Sequence, residues 1–119
     1  MTSGGFYNIM ILEFKSKKLL KLYTKHKKAQ KKFGVKTARI LVRRLNELQA
    51  FENLAQVPHK PPYRRHKLSG KYKGFFAVDV IGGYRIVFKP IIDSDRDIEE
   101  IPLHEINKIE IWEVTDYHD

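Results

Sequence analysis

The sequence FFAVDVIGGYRIVFK, residues 75–89, predicts a β-hairpin and decides the fold. Two runs rich in β-branched and aromatic residues flank the pair Gly82-Gly83. A glycine pair between two apolar runs is typical of a tight turn that joins antiparallel strands. The hairpin therefore predicts an antiparallel sheet at the centre of the protein.

The length of this turn decides which side chains share a face of the sheet. We expect a two-residue turn, which places Arg85 among valines on one face and Asp79 on the other. A three-residue turn would reverse this assignment. One face of the sheet must pack on helices, and the other must be exposed to solvent or form the floor of a site. We expect Tyr84 and Trp112 in the core rather than in contact with a base.

The segments around the hairpin predict an α+β fold. Residues 8–14 form a first strand, apolar enough to be buried on both faces. Apolar positions then recur at three- and four-residue steps over 16–33 and again over 36–52, which predicts two amphipathic helices in a helical hairpin. Residues 106–114 form the last strand. The order β-α-α-β-β-β predicts a helical hairpin on a mainly antiparallel sheet.

Length and composition indicate one small domain over residues 1–119, with 1–7 as a flexible N-terminal extension. The chain has no cysteine, which excludes disulfides, thiol nucleophiles and cysteine-based metal sites. The five histidines lack close metal-ligand spacing, so we expect no metal and no cofactor. No apolar run approaches the length of a membrane span, and we expect a cytoplasmic protein with no membrane partner.

Charge is distributed unevenly along the chain. Residues 1–75 hold 19 lysines and arginines against three acidic residues, whereas residues 76–119 hold four against eleven. Such asymmetry favours a cationic face for a polyanion such as nucleic acid, together with a separate acidic element, the loop at 91–105. A solvated basic surface without a partner is the alternative.

The candidate catalytic residues are His66 in a basic stretch, Arg85 in the hairpin, and Asp116, Tyr117 and His118 near the C-terminus. A metal-free ribonuclease needs a group that removes a proton from a ribose 2′-hydroxyl, an acid for the departing 5′-oxygen, and cations beside the phosphoryl oxygens. Histidine suits both proton transfers, and arginine suits the phosphate. Each candidate also has a structural interpretation without catalysis. His66 is then an ordinary surface histidine, Arg85 forms an ion pair within the sheet, and the C-terminal residues are a frayed tail.

Three segments resemble HigB-like toxins, a branch of the RelE/ParE superfamily also called plasmid maintenance killer proteins. The segments are YRRHKLSG at 63–70 continuing to KGFFAV at 73–78, GYRIVF at 83–88, and IWEVTDYH at 111–118. The resemblance implies a RelE-like fold and a type II toxin that cuts mRNA on the translating ribosome. It also implies that the family's catalytic positions carry over onto His66, Arg85, Asp116, Tyr117 and His118.

Basic residues around these positions are the candidates for RNA binding, namely Arg64, Arg65, Lys67, Lys71 and Lys73. Lysines near the histidine contribute in the family, but Ser69 occupies a place where a lysine is common. That departure leaves the phosphate-binding lysine open among Lys67, Lys71 and Lys73. In the first helix, the candidates for docking on ribosomal RNA are Lys21, Lys25 and Lys28.

The resemblance further implies a cognate antitoxin, of the HigA-like type with a helix-turn-helix DNA-binding fold. We expect the toxin alone to be a monomer and the complex with a dimeric antitoxin to be a heterotetramer. Two alternatives remain: a ParE-like inhibitor of DNA gyrase, which does no chemistry, and a basic RNA-binding domain without catalysis. The candidate acid–base residues argue against a gyrase inhibitor, because pure inhibition needs no such pair.

Overall fold

The predicted hairpin forms the centre of a five-stranded sheet in the computed structural model, which describes residues 9–116. The strands are β1 (Ile11–Phe14), β2 (His66–Lys67), β3 (Phe76–Asp79), β4 (Tyr84–Pro90) and β5 (Lys108–Asp116). They lie in the order β1-β5-β4-β3-β2, with β1 parallel to β5 and the other neighbouring pairs antiparallel. The mainly antiparallel α+β sheet is therefore confirmed. The expected extension at 1–7 lies outside the described residues.

Three helices pack on one face of the sheet: α1 (Lys17–Thr24), α2 (His26–Phe33) and α3 (Val35–Ala50). The prediction of a single helix over 16–33 is wrong, because the chain leaves the helical region at Lys25, with φ −119° and ψ 89°. At the start of α1, the Ser16 hydroxyl accepts the Leu19 N–H at 3.1 Å. Gly34 separates α2 from α3 with a φ of 89°, which favours glycine.

The core lies between α3 and the sheet. The spacing of apolar residues along α3 directs its leucines to one side, where they meet the alternate residues of the central strands. The fully buried members include Leu41, Leu48, Ile86, Phe88, Ile109 and Ile111. The strand β1 was expected to be buried on both faces, but it lies at the edge of the sheet and Ile11 is 52% exposed.

The acidic loop at 91–105 contains no strand, as expected, but it is anchored to the protein. Two short 3-10 turns, Ile98–Glu100 and Leu103–Glu105, give it local structure. Ile101 is buried in the core, and Arg96 pairs with Glu105 at 2.8 Å. The loop therefore packs against the domain instead of extending from it.

The turn between β3 and β4 has three residues, 81–83, and the predicted two-residue turn is wrong. The Val80 N–H donates to the Tyr84 carbonyl at 2.9 Å and closes the turn. Both glycines in it have positive φ, 64° and 86°, a conformation that glycine adopts without strain. Asp79 consequently lies opposite Arg85, and the two side chains share a face.

Arg44, on α3, connects the helices to the end of β3. Its side chain is buried, and its Nε donates to the Asp79 carbonyl at 2.9 Å. A second guanidinium nitrogen pairs with Glu47 at 2.7 Å. The guanidinium also lies 5.1 Å from the centre of the Tyr63 ring, and the Tyr63 carbonyl accepts the Asp79 N–H at 2.8 Å. One buried cation thus holds the strand, the helix and the preceding loop together.

Replacing Arg44 with methionine should lower the free energy of unfolding by about 2–3 kcal/mol, because the Asp79 carbonyl and the Glu47 carboxylate lose a buried donor. Chemical denaturation followed by circular dichroism measures the change. Arg43→Met is the matched control, since the Arg43 side chain is 68% exposed; it should change stability by less than about 0.5 kcal/mol. Equal losses in the two variants would contradict this role for Arg44.

Candidate active site

The candidate site lies on the face of the sheet opposite the helices, which we call the distal face. Residues opposite each other in paired strands share a face, and side chains alternate along each strand. One row of the distal face, running across four strands, consists of His66, Ala77, Val87 and Glu113. The neighbouring row consists of Asp79, Arg85 and Thr115. The register thus brings His66 and Arg85 to one surface.

His66 presents one ring nitrogen for chemistry because the other is already engaged. Its Nδ1 lies 2.7 Å from the carbonyl oxygen of Arg64. A carbonyl oxygen only accepts hydrogen bonds, so Nδ1 must carry a proton. In the neutral ring, Nε2 is then the nitrogen that accepts a proton, and in the imidazolium it can donate one. The bond to the backbone therefore fixes the tautomer needed for a general base.

Arg85 lies on β4, two strands away from His66 on β2. Two strand spacings, together with the two-residue offset between the rows of His66 and Arg85, correspond to a backbone separation of about 12 Å. A long arginine and a histidine can close this separation around one phosphate group. The Arg85 side chain is half-buried. Its guanidinium carries a fixed positive charge and can bind two phosphoryl oxygens in parallel.

Tyr72 and Glu113 form a pair beside Arg85 that the sequence did not reveal. The Tyr72 hydroxyl donates a short hydrogen bond to the Glu113 carboxylate. This hydrogen bond, followed by burial, raises the pKa of Tyr72 above its ordinary value of 10.0, while the charge of Arg85 acts in the opposite direction. The bond fastens the 3-10 turn Gly70–Tyr72 to the strand β5. It thereby holds the basic loop over the distal face.

The three C-terminal candidates are only partly placed. Asp116 lies exposed at the end of β5, opposite Tyr84. Tyr84 packs on the helix side of the sheet, so alternation assigns Asp116 to that side and not to the distal face. Tyr117 and His118 lie outside the described residues. The register therefore places His66 and Arg85 on the distal face and Asp116 opposite Tyr84.

The two arginines expected to bind RNA are both engaged within the protein. Arg64 donates to both carboxylate oxygens of Asp79, at 2.7 and 3.1 Å. Arg65 donates to the carbonyls of Leu54 and Val57 at 2.8 and 2.7 Å, and burial lowers the pKa of its guanidinium. Arg64 remains on the distal face with Asp79. The bonds of Arg65 give it a structural task, holding two loops together.

The lysines expected to bind RNA are exposed, and they lie in different surroundings. Lys67 pairs with Glu99 of the acidic loop at 3.2 Å. The ammonium of Lys71 lies 5.3 Å from the centre of the Tyr72 ring, next to the distal face. Lys73 is exposed at the end of the same turn. Of the three, Lys71 has the contact that places it beside the site.

The lysines expected to dock on ribosomal RNA are exposed on α1 and α2, with Lys25 at the break between them. A groove of about 350 Å³ lies between the two helices, and its apolar floor is Leu22. Its rim consists of Lys18, Lys21, Lys28, Lys31 and Lys32. The groove is on the helix side of the sheet, away from the distal face.

Trp112 lies on the distal face, and the expectation of a core position is wrong. A bulge in β5 leaves Trp112 as the extra residue between the partners of Val87 and Phe88. The Trp112 ring is half-buried and meets the Phe75 ring edge-to-face at 4.8 Å. Phe75 in turn meets the Tyr72 ring at 5.6 Å. An aromatic cluster therefore extends from the Tyr72–Glu113 pair along the distal face.

Within residues 9–116, no three histidine, cysteine, aspartate or glutamate side chains are grouped so as to hold a metal ion. No helix in that range is long and apolar enough to cross a membrane. The groups that the distal face does offer are a histidine with a fixed tautomer, arginines and two carboxylates. Such groups can perform acid–base and electrostatic catalysis.

A family model described as the RelE-like toxin of the type II toxin–antitoxin system HigB matches residues 12–110. The chain belongs to this family. The match covers His66 and Arg85 of the HigB-like toxin and ends before Asp116. It confirms the family that the three sequence segments indicated. No curated protein matches the sequence significantly.

Two solved structures share the fold of this HigB-like toxin. The YoeB/ParE toxin from Agrobacterium tumefaciens has 9% identity and a TM-score of 0.54, with 92% of this chain and 100% of that chain covered. A chain of the YoeB-YefM complex from Staphylococcus aureus has 15% identity and a TM-score of 0.51, with 92% and 98% covered. These similarities confirm the RelE-like fold.

In the HigB-like toxin, the Tyr72–Glu113 bond predicts a loss of stability at alkaline pH. Because the folded state raises the pKa of Tyr72, the stabilisation is fully present below the ordinary value of 10.0 and is lost as the pH rises through the raised pKa. Ultraviolet titration should show the Tyr72 phenol ionising late, identified by its absence in Tyr72→Phe. Glu113→Gln should move that ionisation to lower pH. An unchanged titration in Glu113→Gln would contradict the assignment.

Proposed function

We propose that this HigB-like toxin is an mRNA interferase, a metal-independent endoribonuclease that cuts mRNA on the translating ribosome. The observation that carries the proposal is the placement of His66 and Arg85 on one face of the sheet, with Nδ1 of His66 bonded to the backbone. A proton acceptor and a fixed cation on one surface are what attack by a 2′-hydroxyl on a phosphate requires. Family membership supports the same activity.

In the proposed reaction, Nε2 of His66 takes the proton of the ribose 2′-hydroxyl while the 2′-oxygen attacks the adjacent phosphorus. Arg85 donates to the phosphoryl oxygens, where negative charge increases in the transition state. The bond from phosphorus to the 5′-oxygen then breaks, and the leaving oxygen takes a proton. The products are a 2′,3′-cyclic phosphate and a 5′-hydroxyl.

The roles of the C-terminal residues in this reaction are proposed from the family resemblance alone. His118 is the proposed acid for the leaving 5′-oxygen, with Asp116 as the group that orients it. Tyr117 is proposed to stack on a base, as aromatic side chains do with unstacked nucleotides. The phosphate-binding lysine is proposed to be Lys71, because its ammonium lies beside Tyr72 on the distal face.

We further infer that a cognate antitoxin silences this activity, as membership of a toxin–antitoxin family implies. The fold is also that of a chain in the YoeB-YefM complex from Staphylococcus aureus, which is consistent with a protein partner. A HigA-like antitoxin, a heterotetramer and a cytoplasmic location stay predictions.

Expression of the chain in cells should create new mRNA 5′ ends within translated frames. His66→Ala and Arg85→Ala should each reduce cutting by about 100-fold or more, because each removes one catalytic contribution. Lys36→Ala is the control, since Lys36 is exposed on α3, and it should cut like the unaltered chain. Circular dichroism checks the folding of all three variants.

The other functions give different results in the same experiment. Growth arrest with intact messages, together with inhibited supercoiling by purified DNA gyrase, would establish a ParE-like inhibitor. Intact messages with RNA still bound to the purified protein would establish an RNA-binding domain without catalysis. Either result would overturn the proposal that the protein is a nuclease.

The lysines of α1 and α2 predict a separate ribosome-docking surface. Changing Lys21, Lys25 and Lys28 together to glutamate should weaken co-sedimentation with ribosomes and lower the salt dependence of the remaining binding, by about one unit of slope per lost phosphate contact. The matched control places the same three charge reversals on exposed residues of α3, namely Lys36, Arg39 and Arg43. Equal loss of binding in the two variants would show that net charge alone matters.

A further inference from the structure

We propose that the aromatic cluster of Tyr72, Phe75 and Trp112 is a nucleobase-stacking subsite for single-stranded RNA. The subsite depends on the proposed function in one respect, which is that RNA is the ligand of the distal face. We call the three rings the aromatic platform. The platform would hold a nucleotide next to the one that is cut.

The backbone of β5 places Trp112 on the distal face by means of a bulge. Val87 pairs with Glu113 and Phe88 pairs with Ile111, so Trp112 is the inserted residue. Bulges redirect a side chain and are frequent beside functional sites. The indole N–H donates to Glu110 at 2.8 Å, which orients the plane of the ring.

Cations surround the indole, as expected at a site for a negatively charged strand. The ammonium of Lys15 lies 3.7 Å from the ring centre, and that of Lys89 lies 4.9 Å from it. Cation–π contacts of partly exposed lysines are weak, so a base can displace an ammonium, which then binds a neighbouring phosphate. Aromatic rings with adjacent cations are the usual means of binding single-stranded nucleic acid.

The platform is continuous with the proposed catalytic groups. Its first ring, Tyr72, donates to Glu113, which lies in the same row of the distal face as His66. The Tyr72 ring meets Phe75, and Phe75 meets Trp112. A strand with its scissile phosphate at Arg85 can therefore bring a neighbouring base to the indole of Trp112. The three rings meet edge-to-face, so each offers its own ring to a base and they do not form one flat surface. Stacking accepts any base, so the platform adds affinity without base preference.

Trp112 is the only tryptophan in the chain, so intrinsic tryptophan fluorescence reports on the platform directly. The probe is a short 2′-O-methyl RNA, which binds but lacks the hydroxyl needed for cutting. An abasic 2′-O-methyl oligomer of equal length carries the same phosphates without bases. The RNA should quench the fluorescence of Trp112, because a base stacks on the indole. The abasic oligomer should bind the nearby lysines through its phosphates and cause no such quenching.

Two variants give a second measurement, the Kd of a labelled 2′-O-methyl RNA by anisotropy. Trp112→Leu should raise the Kd by about 5- to 150-fold, the range expected for the loss of one stacked base. Phe33→Leu removes a ring on the helix side, where Phe33 packs on Tyr84, and should leave the Kd unchanged. Thermal unfolding confirms that both variants are folded.

Absence of quenching, equal quenching by both oligomers, or an unchanged Kd in folded Trp112→Leu would overturn the platform. The probe cannot be cut, so the result is independent of catalysis. Quenching by a chain that cuts no mRNA would support the platform and contradict the proposed nuclease activity. Cutting of mRNA without quenching would contradict the platform and leave the proposed nuclease activity supported.

Discussion

The three-residue turn between β3 and β4 sets the register on which the rest of the site depends. It places Asp79 opposite Arg85 on the distal face. With one residue fewer, one of these charged side chains would face the leucines and isoleucines of the core, at a large cost in free energy. Arg44 holds the same turn from the helix side through the Asp79 carbonyl. Fold stability and site geometry therefore depend on one short segment.

The sheet separates two basic surfaces with different shapes. The helix side carries a lysine-rimmed groove suited to the backbone of a folded polyanion. The distal face combines its cations with a histidine, two carboxylates and three aromatic rings. In our account, the first surface docks on the ribosome and the second receives a single strand. The acidic loop pairs with Lys67 through Glu99, and Lys67 lies opposite the core residue Phe76, on the other side of β2 from His66.

The sequence predicted those features that depend on local patterns, and it missed those that depend on contacts between distant segments. Helical periodicity and strand alternation were sufficient for the α+β class, although they missed the break at Lys25 and the edge position of β1. The family segments selected His66 and Arg85, whose roles stay predictions. The pair Gly82-Gly83 is compatible with turns of two and of three residues, so the face of each strand residue stayed open. The outward position of Trp112 follows from a bulge that alternation does not reveal. The partner of Glu113 lies 41 residues earlier in the chain.

The central claim, that the distal face cuts RNA through a ribose 2′-hydroxyl, has a direct chemical test. Purified protein is added to ribosomes that translate a message with a single 2′-deoxynucleotide at the main cleavage position. Our account predicts that this message stays intact there, whereas the all-ribose message is cut and ends in a 2′,3′-cyclic phosphate. Cutting of both messages at the same position and rate would contradict it.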